Sequence, residues 1–484
     1  MKVLLTIHSF FPRHYHGTER HTLDLAKSLQ KLGCDVVVLT ANYDGDTLGR
    51  VLTEYVYEDV RVLALDIRLA GGSGFRFQYE RPQIADILGR ILCEEKPDLV
   101  HCCHLMHLGA TVIGFAKAAK LPVVCSLTDF YGICWTTKLL TSLGSPCDGP
   151  LPDGINCFAD FYVGASMRAL GRFGNWVRYL GPFVPHFSWV MLEKCFNSWL
   201  GRRLELPAED IRLRKERLLK YYQNVDVFLT ASDCVKDTYI SHGFPADRFK
   251  KIPFGIGQPD ESEKVALGQR YAEVQKGAPL VFGFIGQIAR HKGVHLLVKA
   301  FQRAHLPNAE LHIYGDLNQD REAMNRILKA KDADPRIKCL GTFPGNEIYQ
   351  KLSSIHVMCV PSQWAENAPL VLLNGLASKT ILIVAPEKGL VEFVQDGASG
   401  LVFETNNVES LTIAMRDVSE RRNCLLELSR SMAGYRQTGE SYAQQICQIY
   451  QELLSQRKTS GGVEIVDTSQ VPMALNQVPS RSGS

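Results

Sequence analysis

The sequence is poor in the features that direct a protein into or across a membrane. No run of apolar residues is long enough to span a bilayer. The apolar stretch that follows Met1 and Lys2 is too short for a signal peptide and is typical of a β-strand. We therefore expect a cytoplasmic protein.

Net charge is also small. The formal net charge is +3 over 484 residues, so bulk electrostatics gives no reason to expect nucleic acid as a partner. The hydrophobic fraction is 45% and the charged fraction is 22%, as in ordinary globular proteins. A chain of this length is expected to form two or three domains, each with its own core.

Strong metal-binding patterns are missing. None of the 14 cysteines forms the C-x2-C pair of a zinc knuckle. One widely spaced group could hold a structural zinc ion: Cys134, Cys147, Cys157 and Asp160. In a chain without a signal peptide, reduced thiols are the simpler interpretation, and we assign no metal site.

What the sequence does contain is an alternation of short apolar strands and helices, which predicts α/β domains with doubly wound parallel sheets. The pattern runs through residues 1–256 and is interrupted at about 130–220 by a segment without this rhythm. It starts again at 279 and continues to 436. Because the two halves are similar in layout, we expect two Rossmann-like domains that face each other across a cleft.

Three further segments differ in composition from the two domains. Residues 257–278 are rich in glycine, proline and charge, which predicts a linker. Residues 437–458 predict a C-terminal helix that packs back on the first domain. The tail at 459–484 is rich in Ser, Gly, Pro and Gln without periodicity, which predicts disorder.

Residues 161–203 combine arginines and tryptophans with a single acidic residue, Glu193. Basic residues interleaved with aromatic ones suit an anionic membrane surface. A nucleic-acid site could use the same chemistry, but nothing else in the sequence supports it. A helical insertion packed over the cleft is the alternative, and the sequence leaves the choice between membrane contact and packing open.

The most informative stretch runs from Ser362 to Asn374, SQWAENAPLVLLN, directly after the apolar strand at 355–361. Its polar loop carries Glu366 and opens into a helix at about Ala368. Open α/β sheets bind ligands at such junctions, and a helix N-terminus favours an anion such as phosphate. On this stretch alone, an ordinary loop with a solvated glutamate is the alternative.

A second loop in the same half has the composition of a phosphate site. The stretch Gly286–Gly293, GQIARHKG, follows a strand and opens a helix. Its glycines permit close backbone approach, while Arg290 and Lys292 bring positive charge to a helix N-terminus. Because both loops fall at the carboxyl edge of one sheet, we favour a ligand site over a tight turn with solvated basic residues.

The matching edge of the first domain carries two more polar loops. Gly17 and Thr18 stand at the start of a helix, where Thr18 also suits a capping role. The pair Thr128 and Asp129 follows the strand VVCSL and is expected to point into the cleft. Capping and ligand approach are compatible at such a helix start.

These motifs, in this order, resemble the retaining glycosyltransferases of family 4, also called group 1, which have the GT-B fold. The resemblance covers roughly residues 1–455 and is carried by HGTER with LDLAKSLQKLGCDVVVLT, PDLVHCCH, SLTDFYGIC, GQIARHKG, and SQWAENAPLVLLNGLA with EFVQDGASGLVF. The last two segments match the E-x7-E motif of the family and the region after it. The SLTDFYGIC segment is similar to a subgroup that works on bacterial surface polysaccharides.

The resemblance implies a nucleoside diphosphate sugar as donor, held mainly by the second domain. Glu366 would contact the sugar hydroxyls. The backbone amides of Asn367 and Ala368 would contact the sugar or the diphosphate. Asn374 stands where the family usually has its second glutamate, which takes the ribose hydroxyls, so this contact would be neutral and weaker.

The resemblance also implies how the diphosphate is bound. The Arg and Lys of the family's lysine loop correspond to Gln287 and Lys292, and Arg290 could compensate for the charge that Gln287 lacks. Gly17 and Thr18 would lie over the diphosphate.

In the first domain, Asp129 matches the loop aspartate of the family, with Thr128 where a histidine is common. Together with Glu366 and Lys292, Asp129 completes the set of residues that we predict to be catalytic.

The implied reaction transfers a sugar with retention of configuration to a hydroxyl acceptor, such as a lipid-linked or polysaccharide glycan at the cytoplasmic membrane face. It requires no cofactor, because no Asp-x-Asp metal motif lies near the predicted site. Two alternatives stay open. The departures at Gln287, Thr128 and Asn374 also suit a non-catalytic donor-binding or scaffold protein, and a sugar-nucleotide epimerase can have the same fold.

Overall fold

The computed structural model describes residues 1–43, 48–72, 74–170 and 208–459, together with Pro185, Ser188, Trp189 and Met191. Residues 460–484 of the predicted disordered tail lie outside the described residues. So does most of the 161–203 segment, including the side chains of its arginines, on which the membrane interpretation rests.

Two α/β domains, each built on a mainly parallel sheet, form the described part of the chain, as the alternation of strands and helices predicts. The first sheet has the strand order β3-β4-β2-β1-β5-β6-β7-β8. Its strands are β1 (Lys2–Ile7), β2 (Asp35–Asn42), β3 (Leu52–Tyr57), β4 (Val60–Asp66), β5 (Leu99–Cys102), β6 (Val123–Ser126), β7 (Val227–Thr230) and β8 (Phe249–Lys251). Its helices are α1 (Gly17–Lys31), α2 (Ala85–Glu95), α3 (Thr111–Ala118), α4 (Ile155–Leu170), α5 (Ala208–Arg212), α6 (Arg214–Tyr222) and α7 (Asp233–Ser241).

The second sheet has the order β11-β10-β9-β12-β13-β14 and is parallel throughout. Its strands are β9 (Leu280–Ile285), β10 (Ala309–Tyr314), β11 (Ile337–Gly341), β12 (Val357–Val360), β13 (Ile381–Val384) and β14 (Gly400–Val402). The helices around it are α8 (Glu261–Gln275), α9 (Val294–Ala304), α10 (Arg321–Ala333), α11 (Ile348–Leu352), α12 (Leu370–Ala377), α13 (Lys388–Val391), α14 (Val408–Glu420) and α15 (Leu425–Ser431), and the chain continues into α16 (Gly439–Thr459).

Strand β1 shows why the first sheet is buried on both faces. Its side chains alternate, so Leu4 packs in the hydrophobic cluster on one face of the sheet, while Val3, Leu5 and Ile7 pack in the cluster on the other. Continuous apolar strands of this kind belong in parallel sheets that are covered by helices on both sides. Parallel register brings the carboxyl ends of the strands to one edge, where the loops gather.

Strand β3 refines the predicted parallel sheet, because it pairs antiparallel with β4 at the sheet edge. The two strands form a hairpin whose two-residue turn, Glu58 and Asp59, has φ angles of 45° and 66°. Both central residues of a type I′ turn need positive φ, and Asn-Gly is the usual signal. Glu-Asp lacks that signal, so the sequence pattern did not reveal this strand.

The predicted linker at 257–278 is wrong over most of its length, because Glu261–Gln275 is helix α8. Asp260 caps this helix by accepting from the Glu263 N–H, while the Glu263 carboxylate accepts from the Asp260 N–H, which is a capping box. Leu267, Tyr271 and Val274 are buried in the core of the second domain. Charged residues on the exposed face gave this helix the composition of a linker.

Helix α16 leaves the second domain and packs against the first. It contributes Ile446, Ile449 and Tyr450 to the same hydrophobic cluster that contains the buried face of α1. The Tyr450 hydroxyl lies 2.5 Å from Nδ1 of the buried His101 at the end of β5. The first domain is therefore assembled from two separate segments of the chain.

The segment that breaks the β-α rhythm begins with a polar network around Asp160. Its carboxylate accepts hydrogen bonds from the N–H and hydroxyl groups of Ser142 and from the Trp135 indole. Within the described residues, no group of His, Cys, Asp and Glu side chains has the arrangement of a metal site. The hydrogen bonds of Asp160 therefore indicate a structural role.

No helix in the described ranges is long and apolar enough to cross a membrane.

Tyr271 gives a test of the corrected assignment of α8. Its buried hydroxyl donates to the His356 carbonyl at 2.9 Å and accepts from the Ile381 N–H at 3.1 Å. Tyr271→Phe removes both bonds and leaves a buried N–H without its partner, so we expect the free energy of unfolding to fall by about 1–3 kcal/mol. Urea denaturation followed by circular dichroism measures this change.

Val265→Ala is the matched control, because Val265 lies on the same helix with its side chain 58% exposed. We expect its effect to stay within about 0.5 kcal/mol. Equal midpoints for Tyr271→Phe and the unchanged protein would show that α8 does not stabilise the second domain.

Candidate functional site

The centre of the candidate site is Glu366, on the loop between β12 and α12. Its side chain is only 5% exposed. Oε1 accepts hydrogen bonds from Lys292 Nζ at 2.6 Å, Ser362 Oγ at 2.6 Å and Trp364 Nε1 at 2.8 Å. Among the described residues, every hydrogen bond to this carboxylate ends at Oε1. Oε2 is therefore left without a donor from the described part of the chain.

Lys292 joins the two loops that the sequence placed at this edge. Besides its ion pair with Glu366, its ammonium lies 5.1 Å from the centre of the Trp364 ring. Gly293, with φ of 72°, permits this approach, because a Cβ at that position would lie within 1.8 Å of the Pro361 carbonyl oxygen. The prediction that both loops share one sheet edge is confirmed by this direct contact.

The other polar residues of the lysine loop, Gly286–Gly293, differ in their exposure to solvent. Arg290 is exposed, and its N–H donates to the Asp320 carboxylate at 3.3 Å. Gln287 is half-buried on the same loop. Burial, Lys292 and Lys138 lower the pKa of His291 to about 3, so its imidazole is neutral at physiological pH.

Asn367 and Ala368 form part of the contact between the domains. The Asn367 side chain accepts from Ser232 Oγ at 2.8 Å and donates to the Leu127 carbonyl at 3.1 Å, both in the first domain. Ala368 is buried in a cluster made mainly of first-domain residues. A role for these two residues toward a ligand therefore rests on their backbone N–H groups.

Asn374 lies in the second turn of α12 and is half-buried. The Tyr349 hydroxyl donates its one proton to the nearer Gly257 carbonyl, and the Asn374 side chain lies 3.2 Å from the same hydroxyl oxygen. Tyr349 was not identified from the sequence. The amide of Asn374 is thus in contact with a neighbouring side chain rather than free in the cleft.

The first domain places its two polar loops next to each other. Gly17 is the first residue of α1, and Thr18 Oγ1 donates to Thr128 Oγ1 at 3.5 Å. The Asp129 carboxylate accepts from the Tyr131 N–H at 2.8 Å and lies 3.2 Å from His104 Nε2.

Hydrogen bonding sets the tautomer of His104 beside Asp129. His104 Nδ1 accepts from the Met106 N–H, so Nε2 carries the proton and donates to Asp129. Burial alone would raise the pKa of Asp129, but His104, the Tyr131 N–H and Lys138 together hold it below its usual value. Asp129 is therefore an ionised carboxylate at the cleft.

A contact that the sequence did not predict joins the domains beside this site. The Glu392 carboxylate, from the second domain, accepts from the N–H groups of Asp233 and Cys234 at 2.8 and 2.7 Å. It also pairs with Lys251 at 3.1 Å. A carboxylate at the N-terminus of α7 is favoured by the helix dipole. Only the three-dimensional structure brings these distant residues together.

Comparison with protein families assigns the chain. The model described as "Glycosyl transferases group 1" matches residues 269–437, and the model described as "Glycosyltransferase Family 4" matches residues 15–137. Together the two matches cover more than half of the chain. The protein belongs to the group 1 glycosyltransferases. The first match contains Glu366 and Lys292, and the second contains Asp129, so both sides of the candidate site lie in family segments.

Individual relatives of this group 1 glycosyltransferase are distant. Glycogen synthase from Francisella tularensis subsp. novicida is 27% identical over 203 residues, which are 40% of this chain and 41% of that protein. The chain therefore matches about two fifths of the length of this curated relative.

Solved structures show the GT-B fold. HepE from Anabaena in complex with UDP and glucose has a TM-score of 0.60 at 16% identity, over 93% of this chain and all of that one. Sucrose-phosphate synthase from Thermosynechococcus elongatus has a TM-score of 0.61 at 14% identity, over 94% and 100% of the two chains. WaaG, a glycosyltransferase involved in lipopolysaccharide biosynthesis, has 0.52 at 14%, over 95% and 98%. The predicted fold is confirmed.

The Glu392 contact can be tested without substrate. Glu392→Ala removes the acceptor of the first N–H groups of α7, and hydrogen bonds to charged groups contribute about 1.5–3 kcal/mol. We expect hydrogen exchange in the peptide that contains Asp233 and Cys234 to accelerate roughly tenfold or more. Mass spectrometry of exchange measures it.

Glu452→Ala is the control, because Glu452 forms an ion pair with Lys250 on the exposed surface of the first domain. This change should leave exchange at Asp233 and Cys234 as it was. Unaltered exchange in Glu392→Ala would mean that the contact does not hold the domains together in solution.

Proposed function

We propose that this chain transfers a sugar from a nucleoside diphosphate sugar to a hydroxyl acceptor, with retention of anomeric configuration. The observation that carries the proposal is the buried contact between Glu366 and Lys292 at the edge of the second sheet. It places a carboxylate for sugar hydroxyls beside positive charge for a phosphate. HepE, which is similar in fold, has been solved in complex with UDP-glucose, and this supports a nucleoside diphosphate sugar as donor.

In the proposed complex, Glu366 positions the sugar through Oε2, which no described protein donor engages. The backbone N–H groups of Asn367 and Ala368 bind the sugar or the diphosphate. Asn374 takes a ribose hydroxyl, and Gly17 with Thr18 covers the diphosphate from the first domain.

The barrier to this reaction comes largely from negative charge that develops on the departing diphosphate. Lys292 and Arg290 are placed in advance to stabilise that charge, which is more effective than reorganising water during the reaction. Gln287 adds a neutral donor on the same loop. We propose that the positive charge of Lys292 and Arg290 takes the place of a metal ion, so the reaction needs no cofactor.

The acceptor hydroxyl attacks from the same face as the leaving group, which preserves the configuration. Glu366 holds the sugar and does not act as a nucleophile. We propose that the ionised Asp129, on the first-domain loop that contacts Asn367, accepts a hydrogen bond from the incoming hydroxyl. Closure of the two domains excludes water and limits hydrolysis of the donor.

We propose a lipid-linked or polysaccharide glycan as acceptor, in the synthesis of cell-surface polysaccharide at the cytoplasmic face of the membrane. The fold similarity to WaaG supports this choice. The basic and aromatic composition of residues 161–203 supports contact with an anionic membrane surface.

A non-catalytic donor-binding protein is the second candidate. It is favoured by Gln287, Thr128 and Asn374, the three positions at which the chain departs from the usual family pattern. Binding and turnover separate the two: tight donor binding without release of nucleoside diphosphate indicates the binding protein. Isomerisation of the donor without acceptor would instead indicate an epimerase.

Glu366→Ala tests the central residue. We expect release of nucleoside diphosphate from UDP-, GDP- and ADP-sugars to fall about 10²–10³-fold, the loss that follows removal of one prearranged transition-state contact. Glu273→Ala, on the exposed face of α8, is the matched control and should keep full activity. Full activity in Glu366→Ala, with an unchanged circular dichroism spectrum, would refute the assignment.

Asn374→Glu tests the ribose contact. A carboxylate accepts stronger hydrogen bonds from hydroxyls than a neutral amide does, by about 1 kcal/mol, so we expect roughly fivefold tighter binding of the nucleoside diphosphate. Isothermal titration calorimetry measures the change. Weaker or equal binding would place the ribose elsewhere.

A further inference from the structure

Lys138 lies on a first-domain loop, residues 134–147, that reaches the cleft beside the lysine loop. The backbone of this loop is held on both sides of Lys138. The Phe130 N–H donates to the Thr137 carbonyl at 3.0 Å, and the Cys147 N–H donates to the Leu139 carbonyl at 2.9 Å. Lys138 is therefore presented from a fixed position rather than from a free surface segment.

The backbone on either side of Lys138 has an unusual conformation. Thr137 has φ of 64° and Leu139 has φ of 52°, both in the left-handed region. Branched side chains rarely adopt this region, and such residues cluster at ligand-binding sites, where the surrounding structure holds them. The 134–147 loop maintains this conformation on both sides of one lysine.

Lys138 acts electrostatically on both domains. Its positive charge contributes to the lowered pKa of Asp129 in the first domain and of His291 in the second. The same loop also approaches Arg290, since a Cβ added to Gly144 would lie 4.0 Å from Arg290 Nε. The 134–147 loop therefore brings Lys138 to the part of the cleft beside Arg290, where the diphosphate of the donor is proposed to bind.

The positive charges near the proposed diphosphate site are only partly matched by carboxylates. Lys292 is already paired with Glu366. Within the described residues, neither Lys138 nor Arg290 has a side-chain ion pair with a carboxylate, and the buried Nε2 of His291 has no hydrogen-bond partner there. Cations without a carboxylate partner, on two loops that approach each other, suit an anion with several oxygens.

We propose that Lys138 binds the diphosphate of the donor and stabilises it as it leaves, which supplies from the first domain the charge that Gln287 lacks. This inference rests on the proposed function, because it names a further residue for the same donor. It also makes binding depend on both domains, since Lys138 comes from the first domain and Arg290 and Lys292 come from the second.

Calorimetry with UDP, GDP and ADP, and with the matching monophosphates, tests this role. We expect Lys138→Gln to weaken binding of the diphosphate about tenfold and to affect the monophosphate much less. Lys138→Arg should keep most of the affinity, because the charge is retained. Adding Gln287→Arg to Lys138→Gln should restore part of the loss, which a purely structural lysine would not allow.

Lys220→Gln is the control, since Lys220 forms an exposed ion pair with Glu216 on α6. Thermal unfolding of each variant checks that the fold is intact. If the unchanged protein binds a diphosphate and Lys138→Gln binds it equally well, Lys138 has no role while the proposed function stands. If the unchanged protein binds none of the three diphosphates, the proposed function and this inference both fail.

Discussion

The buried ion pair between Lys292 and Glu366 is the interaction on which the candidate site depends. Each partner comes from the carboxyl end of a different strand, so the pair joins two loops into one surface. Removing one partner of such a pair leaves an uncompensated charge in a low-dielectric environment, at a cost of about 3–5 kcal/mol. Ser362 and Trp364 add hydrogen bonds to the same carboxylate oxygen, which fixes the orientation of the other.

The two halves of the site are held together by polar contacts between the domains. Asn367 bonds to Ser232 and Leu127, and Glu392 binds the start of α7. Because Leu127 lies two residues before Asp129, the contact with Asn367 brings the Asp129 loop of the first domain next to the Glu366 loop of the second. The two loops together carry carboxylates and the cation of Lys292. A diphosphate complements the cation, while the carboxylates are suited to hydroxyl groups.

Sequence patterns predicted the elements and loops that local chemistry determines. Glu366 and Lys292 could be placed at one edge because parallel strands end together, and the structure shows them in contact. Helix α8 was missed because its charged outer face dominates the composition, although Asp260 and Glu263 carry a capping-box signal. The contact of Glu392 could not be predicted from the sequence, because its partners are distant in the chain. The role proposed for Lys138 could not be predicted either, because Thr137 and Leu139 adopt the left-handed region without the glycine that usually indicates it.

The passage of α16 from the second domain onto the first has a consequence for how the protein is made. The ribosome releases the first 256 residues long before Ile446, Ile449 and Tyr450, which complete the hydrophobic cluster around α1. The second domain, whose core is continuous in the chain from α8 to α15, can therefore finish folding while one face of the first domain is still exposed to water. Assembly of the cleft and completion of the hydrophobic cluster around α1 in the first domain therefore become a single late event.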